Sequence, residues 1–170
     1  MSGVVRIAGK IKESITDGPG IRYVVFAQGC KHECPGCHNE HTHDFNGGIL
    51  TTVKNLIDDI KRNPLLDGVT LSGGEPFEQA EALAELAKEV KALGMSVMTY
   101  TGYTYEALID QKINHKGWGA LLRETDILVD GRFEEKHKNL MLTFRGSENQ
   151  RIIDMNQSML ENKIVAAKIS

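Results

Sequence analysis

The sequence predicts an α/β fold, arranged as a partial, incompletely closed parallel β/α barrel. The grounds are three. Short β-branched and aromatic runs alternate with stretches of helical periodicity, the pattern that builds right-handed βαβ units and a parallel sheet. The 170 residues hold too few such units for an eight-stranded barrel, which takes about 250. Finally, the strands run into loops rich in glycine, cysteine or charge, and parallel α/β architectures build their sites at those carboxyl ends.

Tyr23-Val24-Val25-Phe26-Ala27 reads as a buried strand leading directly into a cysteine-rich loop. Thr51 to Asn63 reads as a helix, with Val53, Leu56, Ile57 and Ile60 on one face and Pro64 ending it. Val69-Thr70-Leu71 is a short strand. A helix from about Glu78 to Leu93 places Leu83, Leu86, Val90 and Leu93 on one face, with Gly94 at its end. A strand from Ser96 to Tyr100, a helix from about Tyr105, a short helix over Trp118 to Glu124 and a strand Ile127-Leu128-Val129 follow. Arg151-Ile152-Ile153 is expected as a further strand and Gln157 to Glu161 as a short helix.

Composition describes one domain over residues 1–170, 41% hydrophobic and carrying a net charge of −3. That balance offers no electrostatic footprint for nucleic acid or an anionic membrane surface. The residues from Met1 to Lys12 lack the apolar segment of a signal peptide, and no apolar run approaches the ~20 residues of a membrane helix. Unpaired cysteines without an export signal point to a reducing, cytoplasmic setting.

Cys30, Cys34 and Cys37 are spaced C-x3-C-x2-C, and the chain has no fourth cysteine. An odd number argues against a disulfide framework. Soft thiolates suit an iron–sulfur cube, and a cube held by three would leave one iron open to a small molecule. Structural zinc is the alternative, because His32, His38, His41 and His43 crowd the same loop and any could complete a Cys3His set. Gly73-Gly74-Glu75 lies between a strand and a helix, where two glycines admit close backbone approach. Alone it is a turn. It gains meaning because the cysteine loop, this loop, Thr101-Gly102-Tyr103 and Asp130-Gly131-Arg132 should all line one rim.

The C-x3-C-x2-C loop after a first strand, followed by GGE after a second, resembles the radical S-adenosylmethionine superfamily. The resemblance implies a [4Fe–4S] cluster held by Cys30, Cys34 and Cys37. It implies that Gly73, Gly74 and Glu75 hold the methionine end of S-adenosylmethionine, so that a side chain at Gly74 would occupy the methionine's space. Gly36 and His38, flanking the third cysteine, would lie near the adenine, and Asp130 would be a polar contact to the cofactor. Gly36 departs from the aromatic residue that many members carry before the third cysteine.

Asp17-Gly18-Pro19-Gly20-Ile21-Arg22 is locally a turn, and it also resembles the entry segment of enzymes that activate glycyl-radical enzymes. With Cys34-Pro35-Gly36-Cys37-His38-Asn39, Thr99 to Tyr103, Leu128 to Gly131 and Phe144 to Arg151, the chain is similar to activating proteins of anaerobic ribonucleotide reductase. The resemblance runs from about Asp17 to Asp154. It implies one-electron reduction of S-adenosylmethionine to methionine and a 5′-deoxyadenosyl radical, with hydrogen then taken from a glycine of the reductase catalytic subunit. A donor such as flavodoxin would supply the electron. Alternatives are activation of another glycyl-radical enzyme of the pyruvate formate-lyase type, a radical enzyme acting on a small metabolite, or a zinc-binding module. Arg145 to Arg151 reads equally as a structural turn or as a loop facing partner or cofactor. Trp118 is expected to anchor packing, and Met95, Met98, Met141, Met155 and Met159 to fill the core. His41 and His43 are expected to be solvated.

Overall fold

A computed structural model describes residues 3–32 and 42–168. Seven strands form one sheet: β1 (Val4–Ser14), β2 (Arg22–Ala27), β3 (Ile49–Thr52), β4 (Gly68–Gly73), β5 (Ser96–Tyr100), β6 (Ile127–Asp130) and β7 (Arg151–Asp154). Their spatial order is β3-β1-β2-β4-β5-β6-β7. The parallel strands expected from the sequence form the centre, β2-β4-β5-β6. β1 and β3 at one edge and β7 at the other are antiparallel additions. The sheet is therefore mixed, with a parallel middle.

Helices α1 (Val53–Lys61), α2 (Ala80–Ala92), α3 (Tyr105–Gln111) and α4 (Trp118–Glu124) link the strands, and α5 (Met155–Glu161) follows the last. Thr52 caps α1 by accepting a hydrogen bond from Asn55 N. The helix expected from Glu78 instead opens with a 3-10 turn over Pro76–Gln79. The Glu75 carboxylate caps that turn at Phe77 N, and Pro76 sits at its start. Leu83, Leu86 and Val90 of α2 pack with Leu56 and Ile60 of α1 and Leu121 and Leu122 of α4 against Val25, Val69, Leu71 and Leu128 of the sheet. Each such fully buried aliphatic side chain contributes roughly 1.5–3 kcal/mol.

Alternation along the strands sends Val24, Phe26, Thr70, Ser72, Met98 and Tyr100 to the opposite face. The segment before β2 is fastened there, since Thr70 Oγ1 donates to Asp17 O at 2.7 Å. Arg22 is wholly buried and makes five hydrogen bonds, to Thr70 Oγ1, Pro19 O, Ser96 Oγ, Val69 O and Ser96 O. Burial lowers its pKa to about 10, so it stays charged at neutral pH. The Asp17–Arg22 motif is thus a clasp across the amino ends of three strands.

Register sets the site. Arg22 pairs with Gly68 and Ala27 with Gly73, so β2 and β4 end level and their loops emerge side by side. Trp118 is the expected anchor: it is buried, and its indole donates to Phe77 O at 2.9 Å. Met98 and Met155 are core residues, whereas Met141 is 89% exposed and fills no core.

Candidate functional site

Cys30 follows β2 and is buried at the floor of a cleft of about 590 Å³. The loop that holds it is pinched at both ends. Gly29 N donates to Thr42 O at 2.6 Å and Cys30 N to His43 O at 3.2 Å, while Gln28 Nε2 donates to Asp44 O. His43, expected to be solvated, is half-buried and lines the cleft. Gln79 braces the base, donating to both Arg6 O and Gln28 O and accepting from Arg6 N. Cys34, Cys37, Gly36, His38 and His41 lie outside the described residues.

The glycine loop is part of the same construction. Gly74 N donates to Ala27 O and Glu75 N to Gly29 O, both at 2.8 Å. A Cβ at Gly74 would stand 2.9 Å from both Gly29 C and Thr42 O, and closer still to Gly29 O. The close approach that requires glycine here is therefore one loop against the other. This corrects the expectation that a side chain at Gly74 would fill ligand space: it would first displace the cysteine loop. Gly73 and Gly74 still line the cleft beside Cys30.

Glu75 has no exposed surface, and its carboxylate turns inward. Oε1 accepts from Gly102 N at 2.7 Å and lies 2.7 Å from His32 Nε2, while Thr101 Oγ1 sits within 3.0 Å of both oxygens. Three loops, after β2, β4 and β5, meet on this one side chain. The His32 ring packs edge-on against Tyr103 with centroids 4.6 Å apart. Tyr103 donates to Glu78 Oε1, and burial together with that carboxylate pushes its phenol well above the usual range. No spacing rule in the sequence signals the His32–Glu75 pair.

Asp130 ends β6 and is fully buried. Its carboxylate accepts from Tyr105 N at 2.7 Å and from Arg151 Nε at 3.0 Å, and Arg151 Nη2 completes the pair. Asp130 and Glu106 together hold the Arg151 guanidinium well above its usual range. Asp130 lines a neighbouring cleft with Arg151, Arg132 and Thr104, while Gly131 and Arg132 border both. The four loops expected to share a rim do so through Cys30, Gly74, Gly102 and Gly131.

The far wall is the segment from Phe133 to Gln150. Gln150 is its spindle: Oε1 accepts from Gly146 N and Ser147 N, and Nε2 donates to Gly131 O. Tyr100, whose phenol is raised above its usual range chiefly by burial, donates to Phe144 O at 2.6 Å. Arg145 to Arg151 is thus a built turn, and Arg145 also lines the cleft beside Leu142 and Phe144.

The described residues fit an iron–sulfur cluster. A buried cysteine sulfur stands at the floor, a glycine-lined wall adjoins it, and His32 Nδ1 is buried without a hydrogen-bond partner among the described residues.

Residues 16–153 match the family described as "4Fe-4S single cluster domain". The chain is 35% identical over 144 residues to the anaerobic ribonucleoside-triphosphate reductase-activating protein of Vibrio cholerae, covering 80% of this chain and 89% of that one. The proteins of that name from Enterobacteria phage T4 and Escherichia coli K12 are 33% and 32% identical, each over 80% of this chain and over 85% and 90% of their own lengths. Among solved structures, the crystal structure of QueE from Escherichia coli aligns with a TM-score of 0.48 and 19% identity, over 59% of this chain and 53% of that one. The chain belongs to the family of anaerobic ribonucleoside-triphosphate reductase-activating proteins, built on a 4Fe-4S single cluster domain.

Proposed function

We propose that this chain is a radical S-adenosylmethionine enzyme. In this reading it reductively cleaves S-adenosylmethionine and abstracts a hydrogen from one glycine of the anaerobic ribonucleotide reductase catalytic subunit. The observation that carries this is the convergence of Cys30 and the Gly73–Gly74 wall on one cleft, in a chain of the activating-protein family. Cys30, Cys34 and Cys37 would hold the [4Fe–4S] cluster. When bound and reduced, the cluster supplies the low-potential electron that no side chain can.

The chain's own residues do the positioning. Gly73 and Gly74 bring backbone against the methionine end, and Glu75 acts from behind by fixing that backbone to the cysteine loop. Gly36 and His38 would contact the adenine. Asp130 acts on the cofactor only indirectly, by setting the Gly131–Arg132 turn through Arg151 and Tyr105. The domain spans residues 1–170 as an incomplete barrel whose open side admits a backbone loop of the partner. It works in the cytoplasm, with flavodoxin or a similar donor.

Anaerobic reconstitution followed by iron, sulfide and zinc analysis tests the first half. One oxygen-sensitive [4Fe–4S] cluster per chain is expected, lost in Cys30→Ala, Cys34→Ala and Cys37→Ala; stoichiometric zinc without iron would end the reading. Mixed with the catalytic subunit, reductant and S-adenosylmethionine, the protein should give a doublet glycyl-radical signal. Deuterium placed on the target glycine Cα should appear in 5′-deoxyadenosine. Label retained in the polypeptide while 5′-deoxyadenosine accumulates would refute the hydrogen transfer.

A further inference from the structure

We propose that His32 is a positioning residue: through Glu75 it ties the cysteine loop, the glycine loop and the Thr101–Gly102 turn into one unit. This fixes the spacing between the two halves of the S-adenosylmethionine site. The ligand in this inference rests on the function proposed above; the latch itself rests on the protein's own contacts.

His32 Nε2 lies 2.7 Å from Glu75 Oε1, and the two side chains are 3% and 0% exposed. The same oxygen already accepts from Gly102 N, and Oε2 accepts from Phe77 N at 3.1 Å. Both carboxylate oxygens thus act as acceptors, so Nε2 carries the hydrogen. The other donors to this carboxylate come from Phe77, Thr101 and Gly102, so His32 is the side chain that reaches it from the cysteine loop, beside the backbone bond from Glu75 N to Gly29 O. Cys30 is two residues away.

Two further features mark the pair as built. A Cβ at Gly102 would stand 2.5 Å from His32 Cδ2 and 2.7 Å from Nε2, so the turn leaves room for the ring only because residue 102 is glycine. With Nε2 committed to Glu75, Nδ1 remains a buried hydrogen-bonding atom without a partner among the described residues, on a side chain that lines the cleft. Each of the three tied loops follows a different strand, so the latch sets relative position across the sheet.

The test compares His32→Leu, His32→Gln and Gly102→Ala in the full chain. Amide hydrogen exchange reads the latch directly, at Gly102 N–H. Equilibrium dialysis of reconstituted protein reads S-adenosylmethionine affinity, and iron and sulfide analysis reads cluster content. His32→Leu should speed exchange at Gly102 and weaken affinity, each by about tenfold, as expected for loss of a buried hydrogen bond that leaves its acceptor short of a donor. Cluster content should hold, because the cysteines themselves are untouched.

His32→Gln, which keeps a donor near the same place, should return both readouts to within about threefold of the parent. Gly102→Ala should mimic His32→Leu. Should His32→Leu fail to fold, Glu75→Gln keeps the shape, weakens the acceptor and must raise exchange at Gly102. Exchange at the parent rate in His32→Leu, or a His32→Gln variant as impaired as His32→Leu, would overturn the inference. A parent protein that binds no S-adenosylmethionine, with Gly102 still released in His32→Leu, would overturn the proposed function and leave the latch standing.

Discussion

Gly74→Ala separates a glycine needed for ligand space from a glycine needed for loop contact. The added methyl would lie 2.9 Å from Thr42 O and from Gly29 C, and nearer still to Gly29 O. Ordinary contacts begin near 3.4 Å, so the neck of the cysteine loop must retreat by at least half an ångström. Two hydrogen bonds run through the contact, Glu75 N to Gly29 O at 2.8 Å and Gly29 N to Thr42 O at 2.6 Å. Weakening both in a buried setting costs about 2–3 kcal/mol. For a chain of this length that corresponds to a fall in Tm of about 4–12 °C. Thermal unfolding by circular dichroism, without cluster or cofactor, measures it. Gly9→Ala is the control, because a Cβ there meets nothing within 4 Å. If Gly74→Ala melts with the parent and loses only S-adenosylmethionine affinity, the methyl points into ligand space and the loop-on-loop reasoning is wrong.

Arg22→Leu should cost at least about 3 kcal/mol, because Val69 O, Ser96 O and Pro19 O lose a buried charged donor; a denaturant midpoint unchanged from the parent would refute this. Asp59 accepts from Tyr23 and Lys10 and lies near Lys12, which lowers its pKa from 3.8 to about 2, and Arg62 stands 3.6 Å from it. A depressed carboxyl stabilises the fold above the unfolded-state value and loses that contribution as pH falls from about 4 towards 2. Allowing for the exposed lysine and arginine partners, roughly 1–2 kcal/mol is at stake. Urea unfolding at pH 6 and pH 3 should therefore show a smaller acid loss in Asp59→Asn than in the parent, and equal losses would contradict the assignment.

The parallel centre was legible because its strands are buried on both faces and read as apolar runs: Tyr23 to Ala27, Ser96 to Tyr100, Ile127 to Val129. β1 escaped for a physical reason. Val5 and Ile7 alternate as a half-buried strand should, but the second half, Lys10 to Glu13, is exposed and mostly charged, and the pairing with β2 shifts register on either side of Gly9 to Ile11. β3 has only four residues, none fully buried. In the cleft, the shared position of Cys30, Gly73 and Gly74 was legible from their place at strand ends. The inward turn of Glu75 and the pairing of Asp130 with Arg151 depend on which loops become neighbours, and sequence patterns do not encode that. In the sequence His32 reads only as a metal ligand, because its partner lies 43 residues away.

The pinched neck at Gly29–Thr42 and Cys30–His43 bears on what closes the cysteine segment. Small zinc domains commonly fold only when the metal arrives, so that chelation and folding are one event. Here the two ends of the cysteine segment are already joined by backbone hydrogen bonds and braced by Gln79, Glu75 and the register of β2 with β4. The roughly 2 kcal/mol of length-dependent closure entropy for a segment of this size is met by the fold itself. The ends of the segment are therefore brought together by the sheet and its loops, through contacts that involve no cysteine side chain.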